Sequence, residues 1–458
     1  MKRLLLLLLV LGMVIVAFVG CNPAAVVEDA VEDAVDAVDD AVDDAADAVE
    51  DAVDDAMEKE PVTIEAFIVG AGWVDQWPEM KASFEAEYPW ITVIEVGTGP
   101  EEGFLASRMA ASDIPDIVSV DNTQVSYDAV DGGLVADLSD LEVTGNIPQA
   151  YLDAFTRDGK IFGLTQGAAF TCLYVNMAAL NEAGWDAPPA NFEEFVQVCK
   201  DIEEKTDYEP LTVAGDKTTT AWMVYEGIIA TEVGPLWGPG GYEEKFRAGE
   251  IVFSDYPDAT AKFAEIAPYF VTGSATNTED DVTAAMADGV AAMAIAGNWT
   301  ANPMVEAIAT FTGDVADAAV TLLPYNDPGE QVWISISPET AWGMSAVDDG
   351  AAINEARELF FTWLMQPENF KIVQNARGTV PVLTTLTDDQ IILPDAIKGV
   401  LAPMNDAPFV LMGFNLWTET FRDAACTAIR DVMGGNKTAD EAVTIMTDVL
   451  ATSNMASE

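Results

Sequence analysis

The chain has no histidine among its 458 residues. That absence excludes histidine-based catalytic triads, imidazole zinc ligands and histidine general bases. Basic residues are scarce as well: 20 lysines and arginines stand against 78 aspartates and glutamates, a net charge of −58. Such a field repels the phosphates of nucleic acid and anionic lipid headgroups, so no nucleic-acid partner is expected. The excess is compatible with work in salty surroundings, where screening removes self-repulsion, and equally with a protein that is simply acidic. The four cysteines include no CxxC spacing, and neither a metal nor a cofactor is expected. After the first 21 residues no stretch is long and apolar enough to span a bilayer, because each later apolar segment is broken by Asp, Glu, Pro or Gly.

What is present begins at the N-terminus. Lys2 and Arg3 precede an apolar run from Leu4 to Val19, which Gly20 and Cys21 follow. A short basic start, an apolar core and a small residue before the cut are the parts of an export signal, here residues 1–20. Phe18, Val19, Gly20 and Cys21 resemble a bacterial lipobox, with Phe in the place usually held by Leu. That resemblance implies lipid on Cys21. An ordinary membrane anchor is the other reading, since the run is only slightly shorter than the roughly 20 residues that span hydrocarbon. Both place the rest of the chain outside the cytoplasm. Cys172, Cys199 and Cys426 then remain; one disulfide and three buried thiols are both open.

Residues 21–60 form a tether of Ala, Val, Asp and Glu, with sixteen acids and one lysine between Glu28 and Glu60. Valines at 31, 35, 38, 42, 49 and 53 keep helical or coiled-coil spacing, whereas the close-packed carboxylates favour an extended, disordered segment. After Pro61 the pattern becomes strand (Val62 to Val69), helix (Pro78 to Glu87), strand (Thr92 to Val96), helix (Glu102 to Ala111) and strand (Ile117 to Val120). This alternation predicts an α/β sheet whose ligands gather at the carboxyl ends of strands. Gly72, Trp73, Asp121 and Asn122 sit at such ends. A length of 458 residues predicts two lobes or domains.

Seven segments then occur in a telling order: PDIVSVD (115–121), GLVADLSDL (133–141), GKIFGLTQGAAFTCLYVNMAALNEAGWDAPPANFEEF (159–195), GVAAMAIAGNW (289–299), ETAWGMS (339–345), FTWLMQPENFKIVQNARGTVPV (361–382) and GGNKTADEAVTIM (434–446). Within the third, LYVN reads as a strand, Met177 to Ala183 as a helix stopped by Gly184, and Asn191 with Glu194 as the capping box of a helix from Phe192 to Thr206. From about Thr63 to Ala451 the chain resembles the extracellular solute-binding proteins of bacterial ABC importers, in the sugar-binding family that includes maltose-binding protein. The resemblance implies a two-lobed periplasmic-binding-protein fold of type II-like organisation, with a hinge and an interlobe ligand cleft. Lobe 1 would be residues 61–170 plus 339–385, and lobe 2 residues 171–338 plus 386–458. It implies a monomeric receptor, not an enzyme, that captures a carbohydrate and delivers it to a membrane permease pair. Lipid on Cys21 would hold it at the membrane.

The resemblance also carries site residues. Trp299 and Trp417 match positions that stack on sugar rings, and Trp222 falls near a third aromatic. A flat indole suits the apolar C–H face of a pyranose while polar groups at its rim read the hydroxyls. Asp121 is the first polar candidate, with Asn122, Gln166 and Glu339 after it. Trp73 and Trp342 stand evenly between ligand and core, and Trp90, Trp185 and Trp363 are assigned to packing. Ala168 and Ala169 stand where some members carry an acid, so maltose itself is disfavoured. Two other classes stay open. A cationic solute such as a polyamine or amine osmolyte could use an aromatic cage with carboxylates, and an exported glycoside hydrolase would need two carboxylates across a cleft.

Overall fold

A computed structural model describes residues 59–452 apart from 69–75, 97–101, 112, 122–123, 216–217, 239–240, 242–244, 246–249, 378–379, 407 and 412–418. The expected signal, Cys21 and the tether up to residue 58 lie outside the described residues. The described residues fall into two units. In the first, which includes 59–63 and 85–92, the Lys59 ammonium lies 4.6 Å from the Trp90 ring centre and Val62 N–H donates to the Trp90 carbonyl at 2.9 Å. The second unit includes 64–84 and 93–452.

Alternating burial builds the first strands, β1 (Val62–Phe67) and β2 (Ile91–Glu95), while β3 (Ile117–Val120) is buried throughout. The helix Trp77–Glu87 connects the first two, and Glu102–Ala110 leads into the third. These agree with the sequence pattern to within two residues at each end. A small antiparallel pair, β4 (Thr156–Arg157) and β5 (Lys160–Ile161), precedes β6 (Leu164–Thr165). The next strand, β7 (Ala168–Asn176), is buried along all nine residues. After it come β8 (Glu209–Val213), β9 (Ala291–Gly297), β10 (Ala318–Leu322), β11 (Ile334–Pro338), β12 (Ala341–Met344) and β13 (Phe409–Leu411).

The strands form two larger sheets. One has five strands in the order β2-β1-β3-β12-β6, in which β12 returns late in the chain and lies antiparallel between β3 and β6. The other has the order β13-β11-β7-β9-β8, with β10 also pairing β7. Parallel pairs such as β1 with β3 and β8 with β9 need the intervening helices as crossovers.

Each sheet carries its own aromatic packing. At the first, Phe84 meets Phe360 edge-on at 4.9 Å and Trp363 at 5.4 Å. At the second, Phe253 stacks on Phe421 at 5.9 Å and Tyr225 meets Phe263 edge-on at 5.7 Å. The helix Met177–Ala183 stops where Gly184 takes a φ of 96°, a left-handed conformation that glycine adopts at least cost. Asn191 caps the helix Phe192–Lys205 by accepting from Glu194 N–H at 3.0 Å, and the Glu194 carboxylate reaches back to Ala190 N–H at 2.8 Å. Cys172, Cys199 and Cys426 are free and buried. Burial pushes the Cys172 and Cys426 thiols up to about 12, so they pack as small apolar groups.

Arg357 ties the start of β3 to the segment after β12. Its guanidinium donates to Asp116 Oδ1 from Nε at 3.0 Å and from Nη2 at 2.6 Å, and to the Ser345 and Val347 carbonyls at 3.0 and 2.9 Å. The second oxygen of Asp116 accepts Glu65 N–H on β1 at 2.8 Å. The buried charge therefore has partners on three segments, which is the condition for tolerating it.

Candidate functional site

The chain passes between the two sheets where β6 gives way to β7 and where β11 gives way to β12. The two passages run side by side. Gln166 N–H donates to the Thr340 carbonyl at 3.2 Å and Glu339 N–H to the Gly167 carbonyl at 2.8 Å. The buried Thr165 hydroxyl lies 2.7 Å from the Glu339 carbonyl and 2.8 Å from that of Gly167. A third segment joins them: Val380 N–H donates to the Ala168 carbonyl at 3.3 Å, and Ala168 N–H to the Val380 carbonyl at 3.1 Å. Ala168 is thus a meeting point of three segments, and buried backbone groups there stay hydrogen-bonded.

Beside that point the strand β9 ends at Gly297, and a single 3₁₀ turn, Asn298–Thr300, leads into the helix Ala301–Thr312. Asn298 is fully buried. Its amide continues the β9 edge of β7 past the end of β9, accepting Phe170 N–H at 2.9 Å and donating to the Ala168 carbonyl at 3.2 Å. The Gly297 carbonyl is held by two hydroxyls, Tyr174 at 2.9 Å and Thr300 at 2.8 Å. Burial keeps the Tyr174 phenol well above its ordinary range, so it stays a donor.

Trp299 is half-buried against the hydrophobic core that packs on β7 and β9 of the second sheet. Its ring lies over Gly297 so closely that a Cβ there would sit 2.2 Å from two ring carbons. Its Nε1 donates to Glu279 Oε1 at 3.1 Å. Glu279 opens the helix Glu279–Ala287, whose N-terminus is fixed by a capping box between Thr278 and Asp281. The result is an indole with one face on backbone, its polar edge anchored, and part of its surface still open. That arrangement can stack an apolar face of a small solute.

The other sequence candidates are distributed unevenly. Asp121 follows β3, is half-buried, and has its N–H bonded to Ser126 Oγ at 3.0 Å. Gln166 and Glu339 are brought together at the strand passages, where both are buried. Trp342, which the sequence leaves evenly between ligand and core, is 0 % exposed, sits in β12 with neighbours on both sides, and packs edge-on against Phe370 at 6.1 Å. Trp222 lies in the helix Thr218–Trp237, and its side chain is outside the described residues. Trp73, Asn122 and Trp417 are also outside them. Asn298 and Glu279 were not picked out from the sequence. The signal for Asn298 was its place between an apolar strand end and a candidate tryptophan; for Glu279, remote in sequence from Trp299, there was none. Among the described residues no cluster of three or more His, Cys, Asp or Glu could hold a metal ion, and no helix is long and apolar enough to cross a membrane.

Comparison with known proteins places this geometry. Residues 79–398 match the family pattern of the bacterial extracellular solute-binding proteins. The diacetylchitobiose binding protein DasA of Streptomyces coelicolor is 26% identical over 236 residues, covering 46% of this chain and 54% of that protein. The chain therefore matches about half the length of that curated relative. Among solved structures, a chitin oligosaccharide binding protein superposes with a TM-score of 0.71 at 19% identity, covering 86% of this chain and all of the other. The binding protein RafE in complex with raffinose gives 0.72 at 20% identity over the same shares. These likenesses give the fold, the two-lobed α/β architecture of binding proteins, and the pattern over 79–398 gives the family: the chain belongs to the bacterial extracellular solute-binding proteins, which work outside the cytoplasm.

Proposed function

We propose that this protein is a lipid-anchored receptor that captures a sugar or oligosaccharide between two lobes and delivers it to the permease of an ABC importer. The observation that carries the proposal is Trp299, a half-open indole fixed by Gly297 and Glu279 beside the strand passages. An apolar ring with a carboxylate at its edge offers a sugar both a stacking face and a hydroxyl acceptor nearby. The ligands that similar proteins are named for, diacetylchitobiose, chitin oligosaccharides and raffinose, belong to one chemical class.

The lobes are proposed as residues 61–170 with 339–385, and 171–338 with 386–458. Strand membership supports this partition: the five-stranded sheet falls in the first set and the six-stranded sheet in the second, except for the first three residues of β7. Side-by-side passages of this kind suit hinge closure about a trapped solute. Asp121, Gln166, Glu339, Asn122, Trp73, Trp222, Trp342 and Trp417 stay with Trp299 as the proposed contacts. Cys21 is the proposed lipid site, and the receptor is proposed to act as a monomer without catalysis.

The test is a thermal-shift panel on the purified full-length chain with diacetylchitobiose, chitin oligosaccharides and raffinose beside polyamines and betaines. A ligand bound only by the folded state at 100 times its dissociation constant adds about 2.7 kcal/mol. The expected outcome is a rise in melting temperature with at least one sugar and none with amines. A response to an amine alone would replace the sugar with a cationic solute, which the charge of −58 would favour.

A further inference from the structure

We infer that Asn298 is a positioning residue that couples the Trp299 ring to the passages between the sheets. The segments that meet at Ala168 are the places where a bend between the two sheets must be absorbed. The Asn298 amide is bonded to two backbone groups of β7 there, one of them the same Ala168 carbonyl that accepts from Val380. Trp299 is the next residue along the chain. Its ring is held at the far edge by Glu279 and underneath by Gly297, so a small displacement of the Asn298 backbone cannot be lost in free rotation of the indole.

Two facts separate this from ordinary packing. A buried Asn whose amide bonds only to backbone that its own strand has ceased to pair is a directional tether, not a filler; a leucine would occupy the volume without fixing an angle. The tether also ends on the residue shared by all three connecting segments. The geometry therefore makes the aromatic platform respond to the bend, and the bend respond to what lies on the platform. The coupling stands on the geometry alone, while its use in sugar capture rests on the function proposed above.

The test uses the full-length chain labelled with 5-fluorotryptophan, the Trp299 line being the one lost in Trp299→Phe. Thr165→Val removes a hydroxyl from the passage itself. In the wild type this change is expected to move the Trp299 fluorine line by more than its width. In Asn298→Asp, which keeps the acceptor for Phe170 and loses the donor to Ala168, the same change is expected to leave the line in place. Asn298→Ser serves as a second background should the aspartate unfold the protein, and the line of Trp363, packed at the first sheet, reports the fold. Equal displacement with and without the amide, or none in the wild type, overturns the coupling. A parallel titration with raffinose and chitin oligosaccharides is expected to show at least tenfold weaker binding in Asn298→Asp. If the wild type binds no sugar and responds to an amine alone, the proposed function fails while the fluorine comparison still decides the coupling.

Discussion

Replacing Gly297 with alanine should dislodge Trp299, and the structure sets the size of the effect. An alanine Cβ would lie 2.2 Å from Cη2 and Cζ3 and 2.4 Å from Cε3 of the indole. Carbon atoms pack best at about 3.5–4.0 Å, so the ring must withdraw by roughly 1.5 Å. The backbone cannot absorb this, because the Gly297 carbonyl is pinned by Tyr174 and Thr300. Nor is there a conformational penalty to confuse the result, since φ −73° and ψ 153° suit any residue. Withdrawal breaks the 3.1 Å bond to Glu279. Hydrogen bonds to charged groups are worth about 1.5–3 kcal/mol, and overpacking costs about 1–3 kcal/mol. For a half-open ring the low ends apply, giving about 2–3 kcal/mol in a urea unfolding curve. The near-UV circular dichroism of the folded protein should change with it. Sugar affinity should fall roughly 10–100-fold, each tenfold step corresponding to about 1.4 kcal/mol. An unchanged unfolding midpoint with an unchanged near-UV spectrum would refute the reasoning, because it would mean the indole is not held where Gly297 and Glu279 place it.

Two further outcomes follow from buried charge. Arg357→Ala leaves Asp116 without its main counter-charge and should cost about 3–5 kcal/mol in urea unfolding; a loss below about 1 kcal/mol would show that water or rearrangement replaces the guanidinium. For Glu232, burial holds the carboxyl above its ordinary range. Its folded form therefore binds a proton more readily than the unfolded form, and ionisation at neutral pH weakens the fold. Glu232→Gln should raise the melting temperature at pH 7, with the gain shrinking as pH falls through the raised value toward the ordinary one. A gain independent of pH would assign the effect to packing.

The order of strands and helices was legible because burial is written into residue spacing. Val62–Phe67 alternates, the helix Phe192–Lys205 carries its cap in Asn191, and Gly184 marks a stop that needs a positive φ. What escaped had no periodic signature. The strand β7 begins five residues before the LYVN that betrays it, since AAFTC is buried on both faces and shows no alternation to separate strand from helix. The even standing of Trp342 between ligand and core has the same origin. In AWGM every residue is buried, and only the pairing of β12 with β3 and β6 reveals that the indole points into packing. Glu279 lies twenty residues from Trp299, and no local pattern could join them.

The sequence resemblance directs attention to aromatic residues, whereas the geometry draws in the residues around them. A tryptophan on a loose turn would lose conformational entropy each time it stacked on a solute. Here the ring, its anchoring carboxylate and the backbone beneath it hold one another in place, so for the proposed stacking that cost is met in folding. The same anchoring removes the slack by which a bend between the sheets could pass the ring unnoticed. A single asparagine side chain, bonded to Phe170 and Ala168 where β9 has ended, supplies the connection. Preorganisation for stacking and sensitivity to the hinge are therefore one structural property, and a substitution that loosens either should loosen both.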